Sequence, residues 1–502
     1  MNWELKASIA VLGLDGMPKD LLVEAMARGW MPFLNSVRGR LVWKQLDPIV
    51  PLTPPSWTSI MSGVNPGKHG IYDFYKYEVI SEGIKARLYT SMDLNHPRIH
   101  EMASMSGYRE VTIVNPMPGY PILPTKARVI SFLHAPKPVT NISESMGDKL
   151  AREGWERSLR LLNASSCGQV IDRALEVLEF YREMVFSLRK DRGLYWFTSS
   201  IPDEIFHKCP KAFYKPDIIS RLFEEIDAIL RYMWNEYDTV FVVSDHGSTR
   251  YRAKINVNKV LYDNGFIVPG EVVEERETHK KQGLVKVRMP RILIPLIRGP
   301  LRVLARSFFQ FLRDIAGWRG KRLALEIPRG IDYSKSKAYM PPTTTPWYYV
   351  VLRDSGSVGE VKRALSREGL IVLSPEEVFS GERISEAPGL IVLWNEAEGF
   401  MAYAGSIYEP RIIKRKTVNH GRYGILVYKP LEGLDWLERF SERSPERLPN
   451  HIVAPLLMAI MGVPISSASD SLPLLEKYGG LKPKMADYRV KWLLIKKIAS
   501  AI

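Results

Sequence analysis

Two cysteines, Cys167 and Cys209, are all that 502 residues contain. Neither falls in a CxxC or a Cys/His ligand spacing, so neither a Cys-type zinc site nor a disulfide framework is expected, and a reducing compartment follows. No run of about 18 or more apolar residues occurs, which leaves no segment to cross a membrane as a helix. The opening MNWELKASIAVLGLDG has no basic stretch ahead of an apolar one and enters an apolar strand at once. The chain therefore reads as soluble and cytoplasmic, with peripheral contact to an anionic membrane left open. Internal repeats and low-complexity runs are lacking as well.

What is present points to a large folded core. With 45% hydrophobic residues, this length suits one large α/β core carrying inserts, or two to three ordinary domains. The net charge of +15 is unevenly placed: residues 280–322 hold twelve Lys/Arg against one acid, Asp314, and residues 481–502 hold six against Asp487. The remaining chain is near neutral. Basicity thus belongs to two short segments, which have few interleaved aromatics and match no nucleic-acid module, so nucleic acid is not an expected partner.

Short β-branched or aromatic runs at 8–14, 110–114, 194–198, 239–243, 390–393 and 425–428 alternate with helical patterns. The spacing of Ile219, Leu222, Phe223, Ile226, Ile229, Leu230 and Met233 predicts a helix just before 239. The fold expected is α/β, with a mostly parallel central sheet and helices on both faces. In such sheets ligands sit outside the carboxyl ends of the strands. Asp15, Asp203 and Asp245 each follow a run, so three acids should meet at one edge. Residues 1–134, 170–269 and 346–480 read as three parts of the core. Residues 135–169 and the basic 270–345 read as cap inserts over the active edge, and 481–502 as a basic C-terminal helix.

Four local patterns carry chemistry. In LTPPSWTSIMSG (52–63), Thr53 precedes two prolines suited to a helix's first turn, and Gly63 suits its end. A hydroxyl at a helix N-terminus can meet a bound anion, although taken alone Thr53 reads first as an N-cap. In PDEIFH, Asp203 and His207 are four apart and share one helical face, where they can hold one metal. In VVSDHGS, a buried strand feeds Asp245 and His246, a pair suited to zinc or manganese or, equally, to a plain Asx turn. His420, in VNHGRYGILVY, precedes another strand; as a single histidine it also reads as a hydrogen-bonded structural residue. His69, His96, His100, His134, His279 and His451 lack an acidic partner in so telling a context.

Taken in order, LGLDG (12–16), TPPSWTSIMSGVNPGKHGI (53–71), PDEIFH (202–207), SDHG (244–247), and NHGRYGILV followed by IVAPLLMAIMGVPI (452–465) resemble the type I phosphodiesterase/nucleotide pyrophosphatase family of the alkaline phosphatase superfamily. The resemblance implies an alkaline-phosphatase-like core and Thr53 as nucleophile. It also implies two divalent metals, zinc first and manganese second. One would be held by Asp203, His207 and His420, the other by Asp15, Asp245, His246 and the Thr53 oxygen. A coordinated hydroxyl ionises more readily, and a phospho-threonine intermediate follows. One departure stands out: where eukaryotic nucleotide pyrophosphatases have an asparagine on a phosphate oxygen just after HGI-x-D, this chain has Phe74. Lys68, Lys76, Arg250 or a backbone N–H are the candidates to replace it. A sulfatase reading fares poorly, because neither cysteine nor TPPSW has the Cys/Ser-x-Pro-x-Arg context of that branch.

The expected activity is therefore a metal-dependent phosphodiesterase or nucleotide pyrophosphatase acting on a small phosphate ester or nucleotide. A phosphomonoesterase or phosphotransferase using the same site, or a non-catalytic protein holding a metal or phosphate ligand, are the alternatives. Residues 288–325 interleave arginine with Ile, Leu and Phe and can lie on an anionic membrane or pack on the core, the latter favoured by Pro295 and Pro300. The tail DYRVKWLLIKKIASAI places Val490, Leu494 and Ile498 on one stripe that can dock on the core, a partner or lipid. The oligomeric state is not legible.

Overall fold

The computed structural model describes residues 7–80, 83–108, 110–142, 145–188, 193–270, 330–341 and 348–501. The basic stretch 288–325 and His279 lie outside the described residues, as does most of the expected insert 270–345.

A nine-stranded sheet forms the centre. Its strands, in chain order, are β1 (Ile9–Leu14), β2 (Val42–Asp47), β3 (Val111–Val114), β4 (Arg128–Ser131), β5 (Val139–Thr140), β6 (Leu194–Ser199) and β7 (Thr239–Val243). After these, β8 (Gly247–Asn256), β9 (Phe400–Tyr403) and β10 (Ile412–Gly421) make a separate three-stranded sheet, ordered β9-β8-β10; β11 (Gly424–Tyr428) and β12 (Arg447–Pro449) return to the centre. The central order is β12-β2-β11-β7-β1-β6-β3-β4-β5. Neighbours pair in parallel except β11, antiparallel to β2 and β7, and β5, antiparallel to β4. The expected mostly parallel α/β architecture is the one observed.

Why these runs are central strands follows from their two-sided burial. On β1, Ala10, Leu12 and Leu14 enter one apolar core while Ile9 and Val11 enter the other. The same alternation divides Tyr195 and Phe197 from Leu194 and Trp196. A side chain points to opposite faces at each step, so a strand covered by helices on both sides must be apolar throughout. Fully burying one such residue is worth about 1.5–3 kcal/mol.

The predicted helix before 239 spans Ser220–Glu236 and buries Leu222, Phe223, Ile226, Ile229, Leu230 and Met233, while Ile219, also buried, takes the N-cap position just before it. Segment 135–169 supplies edge strand β5 and the helix Ser145–Leu162, whose Leu150, Ala151 and Leu161 join the central core. It belongs to the main sheet and one of its faces. The run 390–393 is a strand, yet it sits in a four-stranded antiparallel sheet with Ala338–Tyr339, Tyr349–Leu352 and Ile371–Leu373, not in the central one. Short apolar strands carry no label for which sheet they enter.

The cysteines correct an expectation. Cys167, opening the helix Cys167–Ser187, and Cys209, closing the helix Ile201–Lys208, form a disulfide with a Cα–Cα distance of 4.9 Å. The partners are 42 positions apart, so no local spacing could announce them. The cysteine-based argument for a reducing compartment loses its support. Among the described residues no helix is long and apolar enough to cross a membrane.

Candidate metal centre

Every sequence-selected site residue lies at the carboxyl edge of the central sheet or on the β8–β10 pair that overhangs it. Asp15 follows β1, and Asp245 and His246 follow β7. Asp203 and His207 lie one turn apart on the helix Ile201–Lys208, which begins just past β6; the Asp203 N–H donates to the Asp15 carbonyl at 3.1 Å. His420 lies at the end of β10, paired with Ser248 of β8, and Tyr251 donates its hydroxyl to the His420 carbonyl at 2.7 Å.

Thr53 opens the helix Thr53–Ser62 but is not its cap. Leu52 takes the N-cap position and supplies no side-chain cap. The Thr53 hydroxyl instead stands 3.5 Å from Asp15 Oδ1 and 3.4 Å from His246 Nε2. Pro54 and Pro55 have no N–H, so this first turn offers an anion few backbone donors. Thr53, Ser56 and Trp57 share one helical face. Ser56 Oγ donates to the Asp245 carbonyl at 2.7 Å, and Trp57 Nε1 donates to Asp15 Oδ2 at 3.1 Å. Both were inside the quoted motif, and their i, i+3, i+4 spacing from Thr53 was the available signal.

The donors form two triads, Asp203/His207/His420 and Asp15/Asp245/His246, each with its ligand atoms within 4.8 Å of one another. His420 Nε2 lies 2.9 Å from His207 Nε2 and 3.5 Å from Asp203 Oδ1. His246 Nε2 lies 3.4 Å from both Asp15 Oδ1 and Asp245 Oδ2. The two triads touch, for the His246 and His420 rings stack at 3.8 Å.

Do these groups fit metal ions? His420 Nδ1 faces the Pro51 carbonyl at 2.7 Å and His246 Nδ1 the Gly247 carbonyl at 2.9 Å. A carbonyl oxygen only accepts, so Nδ1 carries the proton and, in the neutral ring, Nε2 turns a lone pair inward. Asp245 Oδ2 is buried with no hydrogen-bond partner. Lone pairs thus face carboxylates, in a fully buried space at Asp15, Asp245 and His246 and a partly open one at Asp203 and His207, an arrangement that cations reconcile and protein donors do not.

The charges agree. Burial, then the charges of Asp245 and Asp203, push the Asp15 carboxyl well above its ordinary value, and burial lifts Asp245 to about 6. Burial acts the same way on Asp203, but His207 and His420 outweigh it and hold that carboxyl well below the usual range. Burial, then neighbouring His246, pushes His420 well below 6.5, keeping its ring neutral and ligand-ready.

Of the proposed substitutes for the missing asparagine, Lys68 is bonded to Asp470 and to the Ala468 carbonyl, and Lys76 pairs with Glu386 at 2.9 Å. Arg250 lies over the Phe213 and Tyr214 rings, at 5.5 and 4.8 Å. Phe74 packs its ring 5.1 Å from that of His134. The histidines set aside as non-ligands fall elsewhere: His69, His96 and His451 each meet a serine hydroxyl, of Ser59, Ser466 and Ser471 respectively.

Two acid-histidine triads, one of them facing a helix-borne hydroxyl, thus gather beside the carboxyl edge of a mostly parallel sheet whose fold is alkaline-phosphatase-like α/β. Phosphonoacetate hydrolase from Sinorhizobium meliloti, in complex with phosphonoformate, matches 91% of this chain and 96% of its own at 16% identity, with a TM-score of 0.53. Its complex with phosphonoacetate matches over the same spans, with a TM-score of 0.51. A murine ectonucleotide pyrophosphatase/phosphodiesterase 5 in complex with AMP gives 12% identity over 97% of this chain and 99% of its own, with a TM-score of 0.49. No curated protein matches in sequence. The chain belongs to the type I phosphodiesterase/nucleotide pyrophosphatase family, whose model matches residues 9–298. It is a phosphoryl hydrolase of the phosphodiesterase/pyrophosphatase type.

Proposed function

We propose that this hydrolase cleaves phosphodiester or phosphoanhydride bonds of a small substrate such as a nucleotide, through a phospho-threonine intermediate on Thr53. The observation that carries the reading is the aim of the Thr53 hydroxyl, away from its own helix and into the Asp15/His246 triad. Asp203, His207 and His420 would hold one divalent ion and Asp15, Asp245, His246 and Thr53 a second. The mixed carboxylate and imidazole set suits zinc first and manganese second. When bound, the ions supply charge neutralisation for the phosphoryl oxygens and ease ionisation of a coordinated oxygen.

The protein's own groups do the rest. Trp57 and the Asp203 N–H fix Asp15, Ser56 fixes the Asp245 carbonyl, and Tyr251 and Pro51 fix His420. Thr53 Oγ1, its proton passed to solvent, forms a bond to phosphorus as the phosphorus–oxygen bond to the leaving group breaks, and the leaving group departs with that oxygen and the electron pair of the bond. Water then breaks the Thr53–phosphorus bond, releasing the phosphate product and restoring the hydroxyl.

The test measures bound metal and compares hydrolysis of a chromogenic diester with its monoester, in wild type and Thr53→Ala. Bound divalent metal, a diester preference and a loss of at least about a thousandfold in the variant are expected. Metal-free protein or an unimpaired variant would overturn the mechanism. A strong monoester preference would replace the diesterase with a phosphomonoesterase or phosphotransferase on the same site.

A further inference from the structure

We propose that the C-terminal helix Arg489–Ala501 docks the protein on an anionic lipid surface, independently of the metal-site reading. Twelve large apolar side chains stand exposed among the described residues, and four of them, Met485, Val490, Leu493 and Leu494, fall within ten positions. Val490 is 77% and Leu494 58% exposed. Such a concentration marks a contact surface, where single scattered residues would not.

This face is not a core stripe that failed to pack. The helix is anchored by its other side: Trp492 is fully buried against Ile71, Tyr89, Leu94 and Leu123. Lys496 Nζ donates to the Leu94 carbonyl at 2.6 Å, and Lys491 Nζ to the Met105 carbonyl at 2.7 Å. The Val490/Leu494 stripe, which the tail's spacing offered as a docking face, therefore points outward while Trp492 does the anchoring. At about 100° per residue, Val490, Leu493 and Leu494 share one arc, with Lys497 on the same arc a turn further on.

Charge selects the occupant. Residues 481–502 contain six Lys/Arg and one acid, Asp487, and the helix itself has no acidic residue. Lys497 is exposed on the apolar arc itself, and Lys482 and Lys484 are exposed in the segment just before the helix. An apolar arc flanked by cations matches the boundary between headgroups and acyl chains of an anionic bilayer. A second copy of the chain would bring two such cationic patches face to face, which repels. A nucleic acid would leave the apolar arc without a partner.

The experiment is co-sedimentation of the full chain with vesicles of phosphatidylcholine alone or mixed with phosphatidylglycerol. Wild type should pellet with the mixed vesicles only, and release as salt rises. The double variant V490D and L494D should lose at least about tenfold in partitioning, and Lys482→Ala about fivefold. An unchanged circular-dichroism spectrum and Tm in both variants certify the fold. No sedimentation of wild type at low salt, equal binding to phosphatidylcholine alone, or full binding by the double variant would each overturn the proposal. So would a dimer that the double variant splits in the absence of vesicle binding, which would make the face an interface between copies.

Discussion

Replacing Gly16 by alanine should damage the proposed metal centre far more than the fold. Gly16 has φ +68, and a Cβ added there would lie 2.8 Å from Asp203 Oδ1, 2.9 Å from Asp203 Cβ and 3.2 Å from Asp203 Cα. The left-handed backbone alone costs alanine about 1–2 kcal/mol. With 502 residues, the unfolding entropy near the midpoint is about 1 kcal/mol/K, so that strain moves the Tm by only about 1–2 °C. The contact is a different matter. Asp203 cannot retreat freely, because its N–H is bonded to the Asp15 carbonyl, so relief moves a carboxylate of one triad, the backbone of the other, or both. Ligand sets tolerate displacements of about 0.5 Å, and disturbed supporting contacts typically cost about 10–100-fold in metal affinity. Gly29 supplies the control: its φ is +78 and a Cβ there meets nothing within 4 Å, so Gly29→Ala carries the backbone strain without the collision. Divalent-metal titration of both variants is the assay. Gly16→Ala should bind at least about tenfold more weakly than Gly29→Ala at similar thermal stability. Equal metal affinity in the two variants would refute the reasoning that Gly16 clears space for Asp203.

Two further predictions concern stability. Burial pushes His96, His100 and His451 down to about 4 from the ordinary 6.5, so they are neutral when folded. The unfolded chain takes up these protons first, and their contribution is complete above about 6.5 and lost as pH falls toward about 4. Each gap corresponds to about 3 kcal/mol. His96→Gln should therefore flatten the fall in urea-unfolding stability across that window, and an unchanged slope would contradict it. Asp227, on the helix Ser220–Glu236, accepts the N–H groups of Phe33 and Leu34 at 2.9 and 2.8 Å, closing the start of the helix Pro32–Val37 from outside. Asp227→Ala should cost about 2–3 kcal/mol in urea unfolding, and a loss under 0.5 kcal/mol would show that water replaces it.

Much of the centre was legible because strand and site obey local rules. The apolar runs that became β1, β6 and β7 had to be buried on both faces, and the acids just beyond them had to emerge at one edge. What escaped was decided by space. Whether Thr53 capped its helix or faced a neighbour depended on Leu52 taking the cap. The Cys167–Cys209 bond joins helices whose proximity has no signature between them. Trp492 carries the anchoring of the tail because a single indole fits the pocket of Ile71, Tyr89, Leu94 and Leu123, while the regular Val490/Leu494 stripe faces out. The direction of β11 was equally hidden, since an isolated strand of five buried residues reads alike in either orientation.

The pairing of β8 with β10 has a consequence for assembly. Ser248 meets His420 across 172 positions of chain, and the family-matched region ends at 298, well before that histidine. His420 and β11, both late in the chain, must therefore come back to β8 and to the middle of the main sheet before the Asp203/His207/His420 cluster and the strand beside Asp245 are complete. The last ligand arrives with the final third of the polypeptide.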